Sequence, residues 1–265
     1  MLSLNGVKID VTMFPDGTSQ VWQVPDSAFE GVKRYNIEWT FDHEGELFHL
    51  LQLVQLIKHG HVPRPVNLHM PYLPYGRQDK DLSNDATFAL KPFCNLLDTL
   101  NFDKITTLDA HSMVAEKWLR NFENIHPSMV IGKVLDVSGA TAVSFPDAGA
   151  CDRYATKGEF GTRGVIVGDK VRNQKTGYIE KYKITGNPKG EDVLIVDDIC
   201  DGGMTFRILA KDLLEAGANS VHLYVTHGIF SKGVKVLKDA GISRIFTKEG
   251  EIFPSRNTNY LVRSL

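Results

Sequence analysis

The stretch Val193-Leu-Ile-Val-Asp-Asp-Ile-Cys-Asp-Gly-Gly-Met-Thr205 constrains this chain more than any other. Four apolar residues between Gly190 and an acidic pair read as a parallel strand buried on both faces. Phe206, Leu209, Ala210, Leu213 and Leu214 recur at helical spacing, which predicts a helix from near Thr205 to Gly217. Between them lies an acidic, glycine-rich loop. In a doubly wound fold such a loop sits at the carboxyl end of the sheet, where ligands bind. Unpaired N–H groups and the helix dipole favour a phosphate there, and glycines let it approach the backbone. Asp197 and Asp198, as carboxylates, accept hydrogen bonds from vicinal sugar hydroxyls. The pairing suggests a sugar phosphate. For the loop alone, an Asp-rich turn that caps a helix remains the plainer alternative. The usual nucleotide loops, G-x-x-x-x-G-K-[ST] and G-x-G-x-x-G, are absent from the sequence.

The rest of the chain repeats the strand–helix alternation. Alternating residues around Val7–Val11 and Val21–Val24 flank the turn Phe14-Pro-Asp-Gly17, so a hairpin is expected near the start. Tyr35, Ile37, Trp39 and Phe41 mark a strand, and Leu47, Leu50, Leu51, Val54 and Ile57 mark a helix that Pro63 and Pro65 end. Val66–Met70 and Ile105–Leu108 follow as strands around a helix at Phe93–Leu100, with Pro92 in its first turn. Thr141–Phe145, Val165–Val167, Val193–Val196 and Val221–Val225 continue the series, and a last helix is expected at Val234–Ala240. Repeated βα units imply a mostly parallel sheet with helices on both faces. The fold expected is α/β, with two doubly wound parallel-sheet domains divided at the softest point, Ser138-Gly139: residues 1–138 and 139–265.

Composition narrows the class. In 265 residues, 42% are hydrophobic, and no apolar run approaches the roughly 18–20 residues that a membrane span needs. Met1–Lys8 lacks the basic start and apolar segment of a signal peptide. Three scattered cysteines fit a reducing compartment better than a zinc cluster or a disulfide frame. A net charge of −2 argues against a nucleic-acid surface. A cytoplasmic globular protein is expected, without a nucleic-acid or membrane partner.

Several segments end in polar clusters: Phe14-Pro-Asp-Gly17, Pro71-Tyr-Leu-Pro-Tyr-Gly-Arg-Gln-Asp79, Leu108-Asp-Ala-His111, Phe145-Pro-Asp-Ala-Gly149 with Arg153, Asp169-Lys-Val-Arg172, Val196-Asp-Asp-Ile-Cys-Asp201 and Thr226-His-Gly228. Together, and in this order, they resemble the ribose-phosphate diphosphokinase (phosphoribosyl diphosphate synthetase) family, whose domains have the type I phosphoribosyltransferase fold. The resemblance implies transfer of the β,γ-diphosphoryl group of ATP to the anomeric hydroxyl of ribose 5-phosphate, giving the sugar diphosphate (PRPP) and AMP. Such a transfer rests on positioning and on neutralising spread oxyanion charge, so it needs cations, Mg²⁺ and two anion cradles. By resemblance, Asp197, Asp198, Asp201, Gly202, Gly203 and Thr205 hold ribose 5-phosphate. Phe14, Asp16, Arg77, Gln78 and Asp79 hold ATP. His111 and Asp147 belong to the Mg²⁺ site. Lys170 and Arg172, expected just beyond the Gly164–Val167 strand and opening the polar stretch Asn173–Gly177, close over the triphosphate and stabilise transition-state charge. A homo-oligomer is expected by the same likeness.

The pattern departs from the family in places. Thr18 stands where glutamate is common, the loop reads Asp201-Gly-Gly-Met-Thr205 instead of Asp-Thr-Ala-Gly-Thr, and the chain is shorter than most members. Gly202 lacks a phosphate-binding hydroxyl, and Met204 brings a side chain where glycine admits close approach. Two rival readings remain on the sequence: a phosphoribosyltransferase that consumes the diphosphate product, and a silent homologue that regulates a true synthetase. The transferase needs neither Arg77-Gln78 nor Lys170-x-Arg172. The silent homologue is disfavoured by the presence of Lys170, Arg172 and His111.

Overall fold

The computed structural model describes residues 1–81, 85–155, 160–172, 179–253 and 261–264. The chain forms two compact units, Met1–His126 and Pro127–Leu265. The division falls before the expected Ser138-Gly139, which is instead the end of a helix, Ser128–Ser138. Ile131, Val134 and Leu135 of that helix are buried against Val143, Leu194 and Val196 of the second unit's sheet. Its apolar stripe therefore assigns it to the second unit, a long-range packing choice that local composition does not show.

The first unit contains strands β1 (Leu2–Leu4), β2 (Val7–Lys8), β3 (Val11–Met13), β4 (Ser19–Val21) and β5 (Tyr35–Trp39), helix α1 (Glu46–Gly60), strand β6 (Val66–Met70), helix α2 (Leu90–Thr99), and strands β7 (Lys104–Leu108) and β8 (Phe122–Ile125). Strands β5, β6, β7 and β8 are parallel neighbours, and β1 and β2 extend the β5 edge in antiparallel fashion. The expected hairpin forms separately from β3 and β4. Alternation in β5 buries Tyr35, Ile37 and Trp39 and exposes Asn36 and Glu38. Trp39 is fully buried, and its indole N–H donates to Glu46 Oε2 at 3.0 Å, which also accepts from the Asp42 N–H at 2.9 Å. One carboxylate thus satisfies an indole and the chain entering α1, as burial of polar groups requires.

The second unit continues with α3 (Ser128–Ser138), β9 (Ala142–Phe145), α4 (Ala148–Ala155), β10 (Gly164–Arg172), β11 (Ile179–Thr185), β12 (Asp192–Cys200), α5 (Met204–Glu215), β13 (Ser220–Gly228), α6 (Lys235–Lys238), β14 (Ile242–Thr247), β15 (Gly250–Phe253) and β16 (Leu261–Arg263). The strand order is β11-β10-β9-β12-β13-β14-β15-β16, parallel from β10 to β14, with antiparallel strands at both edges. Val193 to Val196 are all fully buried, as a continuous apolar run in a central parallel strand requires. Leu194 and Val196 pack with α3 and α4, whereas Val193 and Ile195 pack with Phe206, Leu209 and Leu213 of α5. Helices on both faces make the unit doubly wound.

Strand β12 carries this packing, so truncation there should be costly. Leu194→Ala is expected to destabilise the protein by about 2–5 kcal/mol, the range for an emptied core site. Val165→Ala, at a position 44% exposed, should cost about 1 kcal/mol or less. Urea unfolding of both variants checks this, and equal midpoints would contradict the two-faced burial of β12.

Candidate functional site

The segment expected to hold a sugar phosphate differs from its expected form in one respect. Strand β12 does not stop at Val196 but runs to Cys200, because β13 also extends and offers partners: Asp197 is opposite Val225, Ile199 opposite His227 and Cys200 opposite Gly228. Asp197 and Asp198 are therefore strand residues, and the loop shrinks to Asp201-Gly202-Gly203. Gly203 has φ +74°, and a β-carbon there would stand 2.8 Å from Leu237 Cδ2. Glycine is the residue that admits this left-handed turn. At Gly202 a β-carbon would meet nothing nearer than Lys232 Cγ at 3.6 Å, so space does not demand that glycine. The Gly203 carbonyl accepts from the Arg207 N–H at 3.0 Å and starts α5 at Met204, one residue before the expected Thr205. The first-turn N–H groups of α5 have no intrahelical acceptor and point along the positive end of its dipole. Met204 is exposed and Thr205 half-buried. Cys200 is buried, and burial, with Asp201 and Asp197 nearby, pushes its thiol up to about 12. It packs as a neutral side chain.

The two central aspartates have different surroundings. Asp198 is buried, and its Oδ1 lies 2.9 Å from Arg153 Nη1 of α4. Asp197 accepts the Asp198 N–H on Oδ1 at 3.0 Å. Burial and the adjacent Asp198 charge raise the Asp197 pKa well above the ordinary carboxylate value. Burial alone would lower the Arg153 pKa, but the Asp198 carboxylate more than offsets it and keeps the guanidinium charged.

Asp147 opens α4. Its Oδ1 accepts from the Ala150 N–H at 2.9 Å, an N-cap bond, and its Oδ2 accepts from Lys170 Nζ at 2.6 Å. Burial would raise the Asp147 pKa, but Lys170 and the Ala150 N–H outweigh it and hold the carboxyl below its usual value. Lys170 does not lie beyond the strand as expected. Strand β10 continues to Arg172 because β11 pairs with it, Lys170 opposite Tyr182 and Arg172 opposite Ile179. The Arg172 side chain and the stretch Asn173–Gly177 lie outside the described residues. Among the described residues no group of three or more His, Cys, Asp or Glu could hold a metal. A lone carboxylate still fits Mg²⁺, which retains waters and takes most of its oxygens from phosphates instead of a protein cage.

The other candidates belong to the first unit. In the β3–β4 turn Phe14 and Asp16 are exposed, and Asp16 Oδ1 accepts from the Thr18 N–H at 3.0 Å and hydroxyl at 2.7 Å. Those bonds lower the Asp16 pKa, so Thr18 acts on the turn itself. Arg77 and Gln78 are exposed and line a cavity of ≈ 480 Å³ with Phe41, Glu44, Tyr72, Pro74 and Tyr75. Tyr75 has φ +61° and donates its hydroxyl to Glu44 Oε1 at 2.7 Å. Burial and Glu44 push its pKa up to about 12. Asp79 is buried and does not line this cavity, nor do Phe14 and Asp16. His111 is half-buried and follows Asp109, whose φ is +51°. Sequence reasoning gave no role to Arg153, Glu44 or Tyr75. Arg153 was visible only as part of a motif, because its partner is 45 residues away.

The phosphoribosyl transferase domain family matches residues 155–258. The chain is 30% identical over 191 residues to a ribose-phosphate pyrophosphokinase of Brucella melitensis, covering 70% of this chain and 61% of that one. It is 31% identical over 210 residues to the ribose-phosphate pyrophosphokinase of Chlorobaculum tepidum, covering 77% and 64%. The chain thus spans less than two thirds of the length of these relatives. The phosphoribosylpyrophosphate synthetase of Mycobacterium smegmatis has a similar fold, with a TM-score of 0.74 at 19% identity over 91% of this chain and 79% of that one. Residues 155–258 thus match the phosphoribosyl transferase domain family, and over 70–77% of its length the chain is similar to ribose-phosphate pyrophosphokinases.

Proposed function

We propose that this protein is a ribose-phosphate diphosphokinase, transferring the β,γ-diphosphoryl group of ATP to the anomeric hydroxyl of ribose 5-phosphate and releasing PRPP and AMP. The observation that carries the reading is the 2.6 Å contact between Lys170 Nζ and Asp147 Oδ2. A cation suited to the migrating group and a carboxylate suited to its metal lie side by side, and a transferase that only consumes PRPP has no need of the first. In this reading the turn Asp201–Gly203 and Thr205 seat the 5-phosphate, and the aspartates of β12 hold the sugar. Arg77, Gln78 and Asp79, with Phe14 and Asp16, serve ATP in the first unit.

Bound Mg²⁺ would neutralise phosphate charge; Asp147 is the second unit's candidate to hold it and His111 the first unit's. The chain's own contribution is positional and electrostatic. Lys170 and Arg172 place positive charge where charge develops, and a preorganised cation costs no reorganisation at the moment of transfer. No covalent nucleophile is invoked, and burial with a raised thiol pKa makes Cys200 a poor one. Cytoplasmic location and homo-oligomeric assembly belong to the same proposal.

Purified protein with ATP, Mg²⁺ and ribose 5-phosphate should release AMP. Release of ADP would contradict the reading. Lys170→Ala should lower kcat by about 10³-fold while the KM values change little, because only differential stabilisation alters the chemical step. A kcat within about fivefold of the unmodified enzyme removes Lys170 from the mechanism.

The raised pKa of Asp197 yields a second expectation. A carboxyl whose folded pKa lies above its unfolded value stabilises the fold only while protonated, and that contribution is lost as pH rises through the folded pKa. Asp197→Asn should therefore weaken ribose 5-phosphate binding yet raise stability near neutral pH. The stability gain should vanish near pH 4, where the aspartate is protonated as well. Thermal unfolding across this pH range checks it. A variant less stable than the unmodified protein at pH 7 would contradict the assignment.

A further inference from the structure

Strand β11 ends the strand order of the second unit's sheet, beside β10. At such an edge, alternate backbone N–H groups point away from the neighbouring strand and need another acceptor or water. The Tyr182 N–H is met by Asp212 Oδ2 of α5 at 2.6 Å. Aspartate is a weak helix former, yet Asp212 lies inside α5, and the bond to the edge strand accounts for its place there. A second contact fastens the same tyrosine. Its side chain is buried in the cluster that holds Ile166 and Leu209. The ring lies against Gly168 of β10, where a β-carbon would stand 2.6 Å from Tyr182 Cδ1 and 3.2 Å from Leu209 Cδ1. Backbone and ring of Tyr182 are thus both held on α5, and the residue opposite it in β10 is Lys170.

We propose that Asp212 is a positioning residue for the diphosphoryl transfer. By holding Tyr182 on α5 it fixes the β10–β11 hairpin, and with it the Lys170 ammonium beside Asp147. The inference rests on the reading of Lys170 as the cation of the transfer. A lysine side chain is long and has many rotamers, so the backbone beneath it must be set for Nζ to stand 2.6 Å from Asp147 Oδ2. Misplacement of a catalytic group by about 1 Å can cost on the order of 10²-fold in rate. The turn Asp201–Gly203, proposed to seat the 5-phosphate, precedes α5 and takes no residue from the hairpin. Loss of Asp212 should therefore act on the chemical step and leave the sugar phosphate's seat intact.

Steady-state kinetics of AMP release from ATP, Mg²⁺ and ribose 5-phosphate test this, with urea unfolding of each variant to report its fold. Asp212→Ala should lower kcat by about fivefold or more while the KM for ribose 5-phosphate stays within about threefold. Asp212→Asn keeps an acceptor oxygen for the Tyr182 N–H and should recover most of the lost rate. In a Lys170→Ala background, Asp212→Ala should change kcat by no more than about twofold, because residues that act as a unit are not additive. Asp212→Glu, which displaces the acceptor, replaces Asp212→Ala if the latter does not fold. A kcat loss below about fivefold, a loss carried by KM, an Asp212→Asn variant as slow as Asp212→Ala, or an equal loss in both backgrounds overturns the inference. Asp212 is then a stabilising contact only. Absence of AMP release from the unmodified protein, or a Lys170→Ala variant as fast as it, overturns the functional reading and the inference with it.

Discussion

The second unit depends on burial of β12 on both faces. A strand of four consecutive apolar residues cannot lie at a solvated edge, so helices must cover it from either side, and the chain supplies α3 and α4 on one and α5 on the other. Once the run is locked, Asp197 and Asp198 are fixed at the carboxyl end of the strand, and the chain must then turn sharply into α5. That turn needs a left-handed residue, and Gly203 provides it with the nearby Leu237 leaving no room for a side chain. The polar chemistry of the loop is thus a consequence of how the apolar segment before it packs.

Helix α4 is the second organising element. Asp147 caps its first turn and meets Lys170, and Arg153 in its last turn meets Asp198. One short helix so fixes a carboxylate at one end and a guanidinium at the other. Both contacts are partly or wholly withdrawn from water, where ion pairs respond strongly to loss of either member. Exposed pairs such as Lys211–Glu215 contribute little by comparison. The charges that matter to this unit are therefore few, and they converge on the carboxyl end of its sheet.

Much of this was legible in the sequence, and the misses share a cause. The alternation in Tyr35–Trp39, the apolar run Val193–Val196 and the spacing after Thr205 are local signals of period and length, and they located β5, β12 and α5. The continuation of β10 to Arg172 and of β12 to Cys200 depends on partner strands that follow later in the chain, so polar residues that look like loops became strand ends. The same holds for α3, whose membership in the second unit is decided by contacts with Leu194 and Val196, and for Arg153, whose meaning appears only when Asp198 is beside it. Gly203 replaced Met204's expected glycine by moving the turn one residue, which is why Met204 stands exposed on the helix instead of in the cradle.

The central claim is that a diphosphoryl group moves intact to ribose 5-phosphate. The most direct measurement uses two samples of ATP, one labelled at the β- and one at the γ-phosphorus, each incubated with the protein, Mg²⁺ and ribose 5-phosphate. The account predicts that both labels appear in the sugar product and that AMP carries neither. Label arriving from the γ-position alone, with the β-label retained in ADP, would contradict it.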